Sequence, residues 1–221
     1  MAAKKIYLSP SNQFDNVYSY GNTTEMEQCN RIAVALEKHL KRNGYDVKRA
    51  PKGQEMNKSI RDSNRWGADV HIPIHTNAGG GKGALVMVHS KVAANLKYAQ
   101  PVYDALKAIS PNGGGYGVRT DVDICKHTLG EIRDTSAIAV YVEAEFHDNA
   151  NLAKWIINNV DNIAVAIAKG ICKADGKTYK AESAPTVEKI YRVQVGAYKN
   201  KENAEAMQKK LKADGYEAII V

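Results

Sequence analysis

The feature that most constrains the fold is a short apolar segment, residues 69–75, that runs into a glycine-rich stretch. An apolar run bounded by turn-forming residues is typical of a buried strand that ends in a loop. Because side chains alternate along a strand, His71 and His75 share one face, and His75 lies at the strand end. Chemistry gathers at strand ends in open α/β sheets, so His75 and Asn77 are candidates for a site. The alternative is a buried polar pair inside a sheet.

Strand and helix patterns alternate through the first half of the chain. Residues 5–8, 45–49 and 84–89 have strand patterns, and residues 24–43 and 56–66 have helix patterns. This order predicts an α/β fold, with a twisted, mainly parallel sheet flanked by helices on both faces. A long amphipathic helix over residues 151–174 is predicted to close the domain.

The start of the first helix places a carboxylate near the preceding loop. Thr24 is the predicted N-cap, and Glu27 three positions later completes a capping box. Glu25 therefore lies in the first turn, where the helix dipole favours a negative charge. The residues alone leave open whether Glu25 belongs to a site or only to the helix start.

A second buried strand, residues 138–142, runs directly into an acidic segment that begins at Glu143. Buried carboxylates are costly unless they are paired or used. Glu143 and Glu145 share a face, so one of them can act as a general base beside a metal if that face meets the His75 strand. The alternative is an acidic loop paired with nearby basic side chains such as Arg133.

Two other segments carry strong local signals. Pro101 lies inside a helical pattern over residues 91–109, and it is predicted to kink or split that helix. The glycine-rich residues 111–117 are predicted to form a mobile flap, and they lack the Gly-Lys-Ser/Thr pattern of a phosphate loop.

The composition is that of an ordinary globular chain. Its 221 residues can hold one domain and a small appendage, and three distant cysteines argue against a disulfide framework. The net charge of +7 favours a polyanionic partner. Nucleic acid is not expected, since the lysines are dispersed and there are only two tryptophans and two phenylalanines for stacking. No apolar run is long enough for a transmembrane segment or export signal, which predicts synthesis in the cytoplasm.

The end of the chain has a different pattern. Residues 176–188 are rich in Lys, Ser, Ala and Pro and are predicted to be a linker. An alternating strand over 191–198, a helix around 204–211 and a strand ending at Val221 then predict a β-α-β unit. A unit this small cannot bury its own core easily, so we expect packing on the main domain, oligomer formation or a longer native chain.

Four separated motifs, in order, resemble the zinc-dependent N-acetylmuramoyl-L-alanine amidases of the Amidase_3 type. They are the loop after the first strand, Glu25, the sequence Ile-His-Thr-Asn-Ala from Ile74, and Val-Glu-x-x-Phe-x-x-Asn from Val142. The resemblance covers residues 4–174. It implies an autolysin or phage-type endolysin that uses Zn²⁺ to hydrolyse the amide bond between N-acetylmuramic acid and L-alanine in peptidoglycan. It also implies action on the cell wall after release from the cytoplasm.

The same resemblance implies roles for individual residues. Glu25 and His75 are implied metal ligands, Glu143 is the implied catalytic glutamate, and Asn77 is expected to bind substrate. Residues 1–175 are then the catalytic domain.

One departure from the family concerns the first ligand. The family usually has Pro-Gly-His-Gly after the first strand, and Pro-Ser-Asn-Gln here puts Asn12 in the ligand position. Amide oxygen binds zinc less well than imidazole does. Gln13 and water are therefore alternatives to Asn12, and a peptidoglycan-binding or regulatory module with a degenerate amidase site is the alternative function. Glu145 also stands where the family commonly has glycine.

The C-terminal residues 189–221 resemble the first half of a SPOR repeat, a module that binds peptidoglycan. The resemblance is carried by Val-Gln-Val-Gly-Ala-Tyr from Val193 and by Gly215. The expected partner is therefore peptidoglycan, and the net charge of +7 adds anionic wall polymers as a second expected partner.

Overall fold

The structure is a computed structural model that describes residues 2–182 and 193–220. The chain divides into two compact units, Met1–Glu182 and Ser183–Val221. The strands are β1 (Lys5–Pro10), β2 (Asp46–Arg49), β3 (Val70–Asn77), β4 (Ala84–Val88), β5 (Gly115–Thr120), β6 (Ile138–Ala139) and β7 (Tyr141–Phe146). The helices are α1 (Glu25–Arg42), α2 (Met56–Trp66), α3 (Ala93–Ile109), α4 (Asp121–Cys125), α5 (Gly130–Arg133), α6 (Ala150–Asn158), α7 (Val160–Ala174) and α8 (Lys201–Ala213). Among the described residues, no helix is both long and apolar enough to cross a membrane.

The first unit is built on one sheet, with strand order β2-β1-β3-β7-β4-β5 and with β6 paired to β3. All strand pairs are parallel except β4 and β7, which are antiparallel. Helices α1, α3 and α7 pack together on one face, and α2 and α5 pack together on the other. The predicted α/β fold with a mainly parallel, helix-flanked sheet is therefore confirmed.

Strand β3 divides its side chains between two environments, as its alternation requires. Val70, Ile72 and Ile74 belong to the main apolar core with the helices of the first face. His71 and His75 lie on the opposite face and are also buried. In the sheet, His75 lies opposite Glu143 of the neighbouring strand β7, so the pairing of two buried strands brings the predicted site residues together.

Helix α1 begins at the predicted N-cap, Thr24, but only half of the predicted capping box is formed, because the Glu27 side chain pairs with Lys52 instead. The Thr24 side chain accepts a hydrogen bond from the backbone N–H of Glu27, 3.4 Å away, and both Glu25 and Glu27 lie in the first turn. The helix ends at Asn43, and Gly44 follows with φ of 78°. This left-handed backbone is accessible to glycine at little cost.

Two of the predicted helical patterns have other outcomes. Helix α3 continues through Pro101 as one helix. The predicted single helix over residues 151–174 is wrong, because α6 and α7 are separated at Asn159. The Asn159 backbone leaves the helical region, with φ of −120° and ψ of 23°, and its side chain donates to the Trp155 carbonyl at 2.9 Å. Asparagine side chains compete with helical hydrogen bonds in this way.

The glycine-rich segment of residues 111–117 is also more ordered than its composition indicates. Residues from Gly115 onward form the edge strand β5, which pairs in parallel with β4, so the predicted flap of residues 111–117 is partly wrong. A Cβ atom at Gly115 would collide with the carbonyl oxygen of Ala84. This glycine therefore permits a close backbone approach.

A different glycine sets the distance between two core helices. An added Cβ at Gly170 of α7 would lie 2.5 Å from Cα and 2.6 Å from N of Val102 in α3. Glycine-to-alanine changes inside helices usually stabilise by about 0.5–1 kcal/mol. For Gly170→Ala we instead expect a loss of about 1–3 kcal/mol, because neither backbone can yield without repacking.

Chemical denaturation of the Gly170→Ala variant measures this effect. The exposed neighbour Lys169 provides a matched control on the same helix, and Lys169→Ala is expected to change the unfolding free energy by less than about 0.5 kcal/mol. A Gly170→Ala variant as stable as the wild type would mean that the two helices are not in close contact there.

The predicted linker of residues 176–188 begins as a segment attached to α1. The Asn43 side chain accepts a hydrogen bond from the Lys180 N–H at 2.6 Å. The Tyr179 hydroxyl lies 2.8 Å from Nδ1 of His39, and Arg42 donates to Glu182 at 2.7 Å. Residues up to 182 thus belong to the first unit, and the rest of the predicted linker, residues 183–188, lies outside the described residues.

The second unit contains the predicted helix, α8, but not the predicted strands in its described part. Residues 193–198 and 216–220 have no strand assignment, and the remaining positions of the predicted strands, residues 191–192 and 221, lie outside the described residues. Val193 and Ile219 are 86% and 75% exposed. The strand prediction is wrong there because alternating apolar residues form a strand only with a partner strand and a core to cover.

Candidate active site

Side chains from α1, β3 and β7 meet at one edge of the sheet. Nδ1 of His75, at the end of β3, lies 2.8 Å from Oε1 of Glu25, in the first turn of α1. Both side chains are buried. Glu143 is the direct neighbour of His75 in the β3–β7 pairing. The three residues that the sequence motifs single out therefore come from distant parts of the chain to one place.

The loop between β1 and α1 covers Glu25 with amide side chains. Asn16 donates from Nδ2 to Oε2 of Glu25 at 2.8 Å and to Oε1 of Gln13 at 2.6 Å. The Gln13 amide lies 3.4 Å from Nδ1 of His75. In the described part of the chain, the Asn12 side chain forms no hydrogen bond with Glu25 or His75. Of the two amides weighed from the sequence, Gln13 is the one beside the histidine.

This loop is attached to the ends of β3 and β7. The Tyr18 hydroxyl lies 2.9 Å from Oγ1 of Thr76, and its ring stacks on His147 with centroids 4.9 Å apart. Nδ1 of His147 lies 3.0 Å from the same Thr76 hydroxyl. The Ser19 N–H donates to the His147 carbonyl at 3.1 Å. The residues over Glu25 are thus fixed to the strands that carry His75 and Glu143.

The opposite edge of the His75 ring faces a residue that sequence reasoning missed, Glu131. Nε2 of His75 lies 3.8 Å from Oε2 of Glu131, and Tyr141 stacks on the ring with centroids 4.6 Å apart. Glu131 lies in the four-residue helix α5, which has no periodic pattern to reveal it. The one available signal was the pair of buried histidines, since buried imidazoles need polar partners.

The carboxylates around His75 differ in their proton affinity. Burial raises the pKa of Glu143 to about 8, against the nearby charge of His75 and with the added repulsion of Glu25. Burial also opposes ionisation of Glu131, but its contacts with His71 and His75 lower its pKa to about 2. Oε2 of Glu143 is buried and has no hydrogen-bond partner in the described residues. Glu143 is thus the carboxylate best suited to exchange a proton, whereas Glu131 stays charged.

The other acidic and polar candidates have different surroundings. Glu145 does not share the site with Glu143, because its oxygens accept hydrogen bonds from the Gly83 N–H and the Ser110 hydroxyl. Arg133 pairs with Asp134 at 2.6 Å, so the alternative pairing of the acidic strand with Arg133 is not formed. Asn77 lies half-buried at the end of β3, and its Oδ1 accepts the Ala78 N–H at 2.8 Å.

Among residues 2–182 and 193–220, no three His, Cys, Asp or Glu side chains are arranged to hold a metal ion. Two such donors meet, Glu25 and His75. The third neighbour, Gln13, offers an amide whose oxygen accepts the hydrogen bond from Asn16 and whose nitrogen faces His75. The donor set therefore combines one imidazole, one carboxylate and one amide, which is compatible with zinc, although the amide is its weakest ligand.

Two protein families match parts of this chain. The N-acetylmuramoyl-L-alanine amidase family matches residues 14–173, and the SPOR domain matches residues 178–221. N-acetylmuramoyl-L-alanine amidase CwlM of Bacillus licheniformis and the sporulation-specific N-acetylmuramoyl-L-alanine amidase of Bacillus subtilis are each 24% identical to the chain. Each of these alignments covers 98% of this chain and 84% of the relative.

A solved structure has the same fold as the first unit. The crystal structure of an N-acetylmuramoyl-L-alanine amidase from Clostridium difficile is similar with a TM-score of 0.68 at 18% identity, covering 80% of this chain and 98% of that one. The family match extends over most of the chain, and both predicted resemblances are confirmed. The chain therefore belongs to the N-acetylmuramoyl-L-alanine amidase family, the enzymes that hydrolyse the amide bond between N-acetylmuramic acid and L-alanine in bacterial peptidoglycan.

Proposed function

We propose that this amidase depends on zinc, and that Glu25 and His75 hold the ion. The observation that carries the proposal is the 2.8 Å approach of His75 Nδ1 to Glu25 Oε1, with Glu143 opposite His75 in the β3–β7 pairing. Imidazole nitrogen and carboxylate oxygen are ligands that zinc prefers, and a catalytic zinc usually has three protein ligands and one open position.

The proposed third ligand is the side-chain oxygen of Gln13. Its amide nitrogen lies 3.4 Å from the His75 nitrogen, and a rotation of the amide that gives up the 2.6 Å hydrogen bond from Asn16 would point the oxygen at the ion. Asn12, the residue that replaces the family histidine in the sequence, has no hydrogen bond to His75 or Glu25 among the residues that the structure describes. Because an amide oxygen is a weaker ligand than imidazole, we expect a lower zinc affinity than a site with two histidines would have.

The proposed catalytic residue is Glu143. When bound, zinc polarises the scissile carbonyl and lowers the pKa of water. Glu143 is half-buried, and its Oε2 atom is buried with no hydrogen-bond partner among the described residues. We propose that this carboxylate takes a proton from the attacking water and delivers it to the leaving amine of L-alanine. Glu25 and Asn16 hold the surrounding loop in position through their 2.8 Å hydrogen bond.

Substrate contacts are proposed at the loop that follows β3. Asn77 begins this loop, and Asp148 accepts the N–H groups of Gly79 and Gly80, each at 2.7 Å. We propose that Asn77 contacts the peptidoglycan stem, that the SPOR-like unit binds the glycan strands, and that the enzyme acts at the cell wall. Anionic wall polymers and oligomer formation through the C-terminal unit stay predictions.

The test combines metal analysis with a cell-wall assay on the full chain. We expect one zinc ion per chain, the appearance of L-alanine amino termini from purified peptidoglycan, and loss of that activity on treatment with a chelator, reversed by added zinc. Activity that persists without metal would contradict the zinc proposal. Binding to peptidoglycan with no release of amino termini would instead favour a wall-binding module with a degenerate site.

A further inference from the structure

The carboxylate of Glu131 lies between the two histidines of β3. Its Oε1 is 3.3 Å from Nε2 of His71, and its Oε2 is 3.8 Å from Nε2 of His75. All three side chains are more than nine-tenths buried. Residues four apart on a strand lie about 13 Å apart along the chain, so the two rings cannot share one ion, but one carboxylate reaches both.

The first oxygen of Glu131 is fixed by contacts that do not involve the active site. The Ser9 hydroxyl of β1 donates to Oε1. His71, which also contacts Oε1, is itself held by the Ser63 hydroxyl, 2.9 Å from its Nδ1, and by the Tyr7 ring stacked 5.5 Å away. Glu131 is therefore anchored on its His71 side, and its second oxygen is directed at His75.

We propose that Glu131 is a positioning residue that fixes the orientation and tautomer of His75. In the zinc-bound protein, a proton on Nε2, facing the Glu131 carboxylate, would leave the lone pair of Nδ1 free for the metal beside Glu25. Histidine ligands commonly donate their second ring N–H to a carboxylate, which sets the ring orientation and increases ligand basicity. This inference rests on the proposed zinc site, because Nδ1 is the atom offered to the metal.

Zinc affinity tests the inference without relying on catalysis. The variant Glu131→Gln keeps the size of the side chain and removes its charge, and we expect its zinc dissociation constant to rise about 10-fold or more, measured by competition with a chromophoric chelator. Glu145→Gln is the matched control, since Glu145 is a buried carboxylate whose hydrogen bonds go to Gly83, Ser110 and Phe146. Its zinc affinity is expected to equal that of the wild type.

The outcomes separate the two proposals. A wild type that binds zinc and a Glu131→Gln variant that binds it equally well would overturn the role of Glu131 and leave the zinc proposal standing. A wild type that binds no zinc would overturn both.

Nitrogen-15 NMR of the zinc-loaded wild type needs no variant, so it decides the question even if Glu131→Gln does not fold. We expect a proton on Nε2 of His75 and none on Nδ1. A proton on Nδ1, or an unprotonated Nε2, would contradict the proposal.

Discussion

Replacing Glu143 by glutamine is expected to lower kcat for the release of L-alanine amino termini by about 10²–10⁴-fold, the usual contribution of a general base. The amide has nearly the same shape as the carboxylate but cannot accept the proton of the attacking water. Oε2 of Glu143 has no hydrogen-bond partner in residues 2–182 and 193–220, so the substitution breaks no bond at that atom within this part of the chain. Zinc content is expected to remain at the wild-type level, since Glu143 is not a proposed ligand.

Stability provides a second measurement on the same variant. Burial raises the pKa of Glu143 from 4.5 to about 8, so the zinc-free folded protein holds this proton more tightly than the unfolded chain does. The contribution of Glu143 to folding stability therefore falls as the pH rises from about 4.5 to about 8. At pH 7, zinc-free Glu143→Gln should accordingly unfold at the same urea concentration as the wild type or a higher one.

Two results would contradict the role of Glu143 as the general base. A Glu143→Gln variant with the kcat of the wild type would show that Glu143 does not take part in the reaction. A variant that has lost its zinc would show that Glu143 is a metal ligand.

The fold could be predicted because its elements carry local signals. The apolar run before His75 is long enough for one strand, and its alternation correctly places His71 and His75 on the face opposite Ile72. Thr24 marks the start of α1 because a threonine side chain at the N-cap can accept a hydrogen bond from a backbone N–H of the first turn. The break at Asn159 was missed because the apolar period continues across it, and only the backbone conformation of one residue interrupts the helix.

Only those residues of the candidate site that belong to a sequence motif could be predicted. Glu25, His75 and Glu143 were identified from their order in the chain, and the sheet register then brings His75 and Glu143 together. Glu131 could not be found, because it is supplied by a helix of four residues whose position depends on tertiary packing. The choice between Asn12 and Gln13 depends on the path of a loop, and loop conformation has no periodicity from which to derive it.

A second large effect is expected at Glu145, which is the buried glutamate of β7. Its carboxylate accepts hydrogen bonds from the Gly83 N–H, from the Phe146 N–H at 3.1 Å and from the Ser110 hydroxyl at 2.9 Å. Glu145→Ala leaves these buried donors without an acceptor, and each unsatisfied group costs about 1–3 kcal/mol. We therefore expect urea denaturation to show a loss of at least about 3 kcal/mol in unfolding free energy.

Asp148 provides the matched control for this result, because it also accepts N–H groups of the glycine-rich loop, those of Gly79 and Gly80. Asp148 is exposed, so water can replace its carboxylate, and Asp148→Ala is expected to cost only about 0.5–1.5 kcal/mol. Equal losses for the two variants would show that burial does not determine the effect. A small loss at Glu145 alone would mean that water reaches Gly83 and Ser110, and hence that the loop beside Asn77 opens in solution. The comparison thus measures how firmly the fold holds the loop to which substrate binding is assigned.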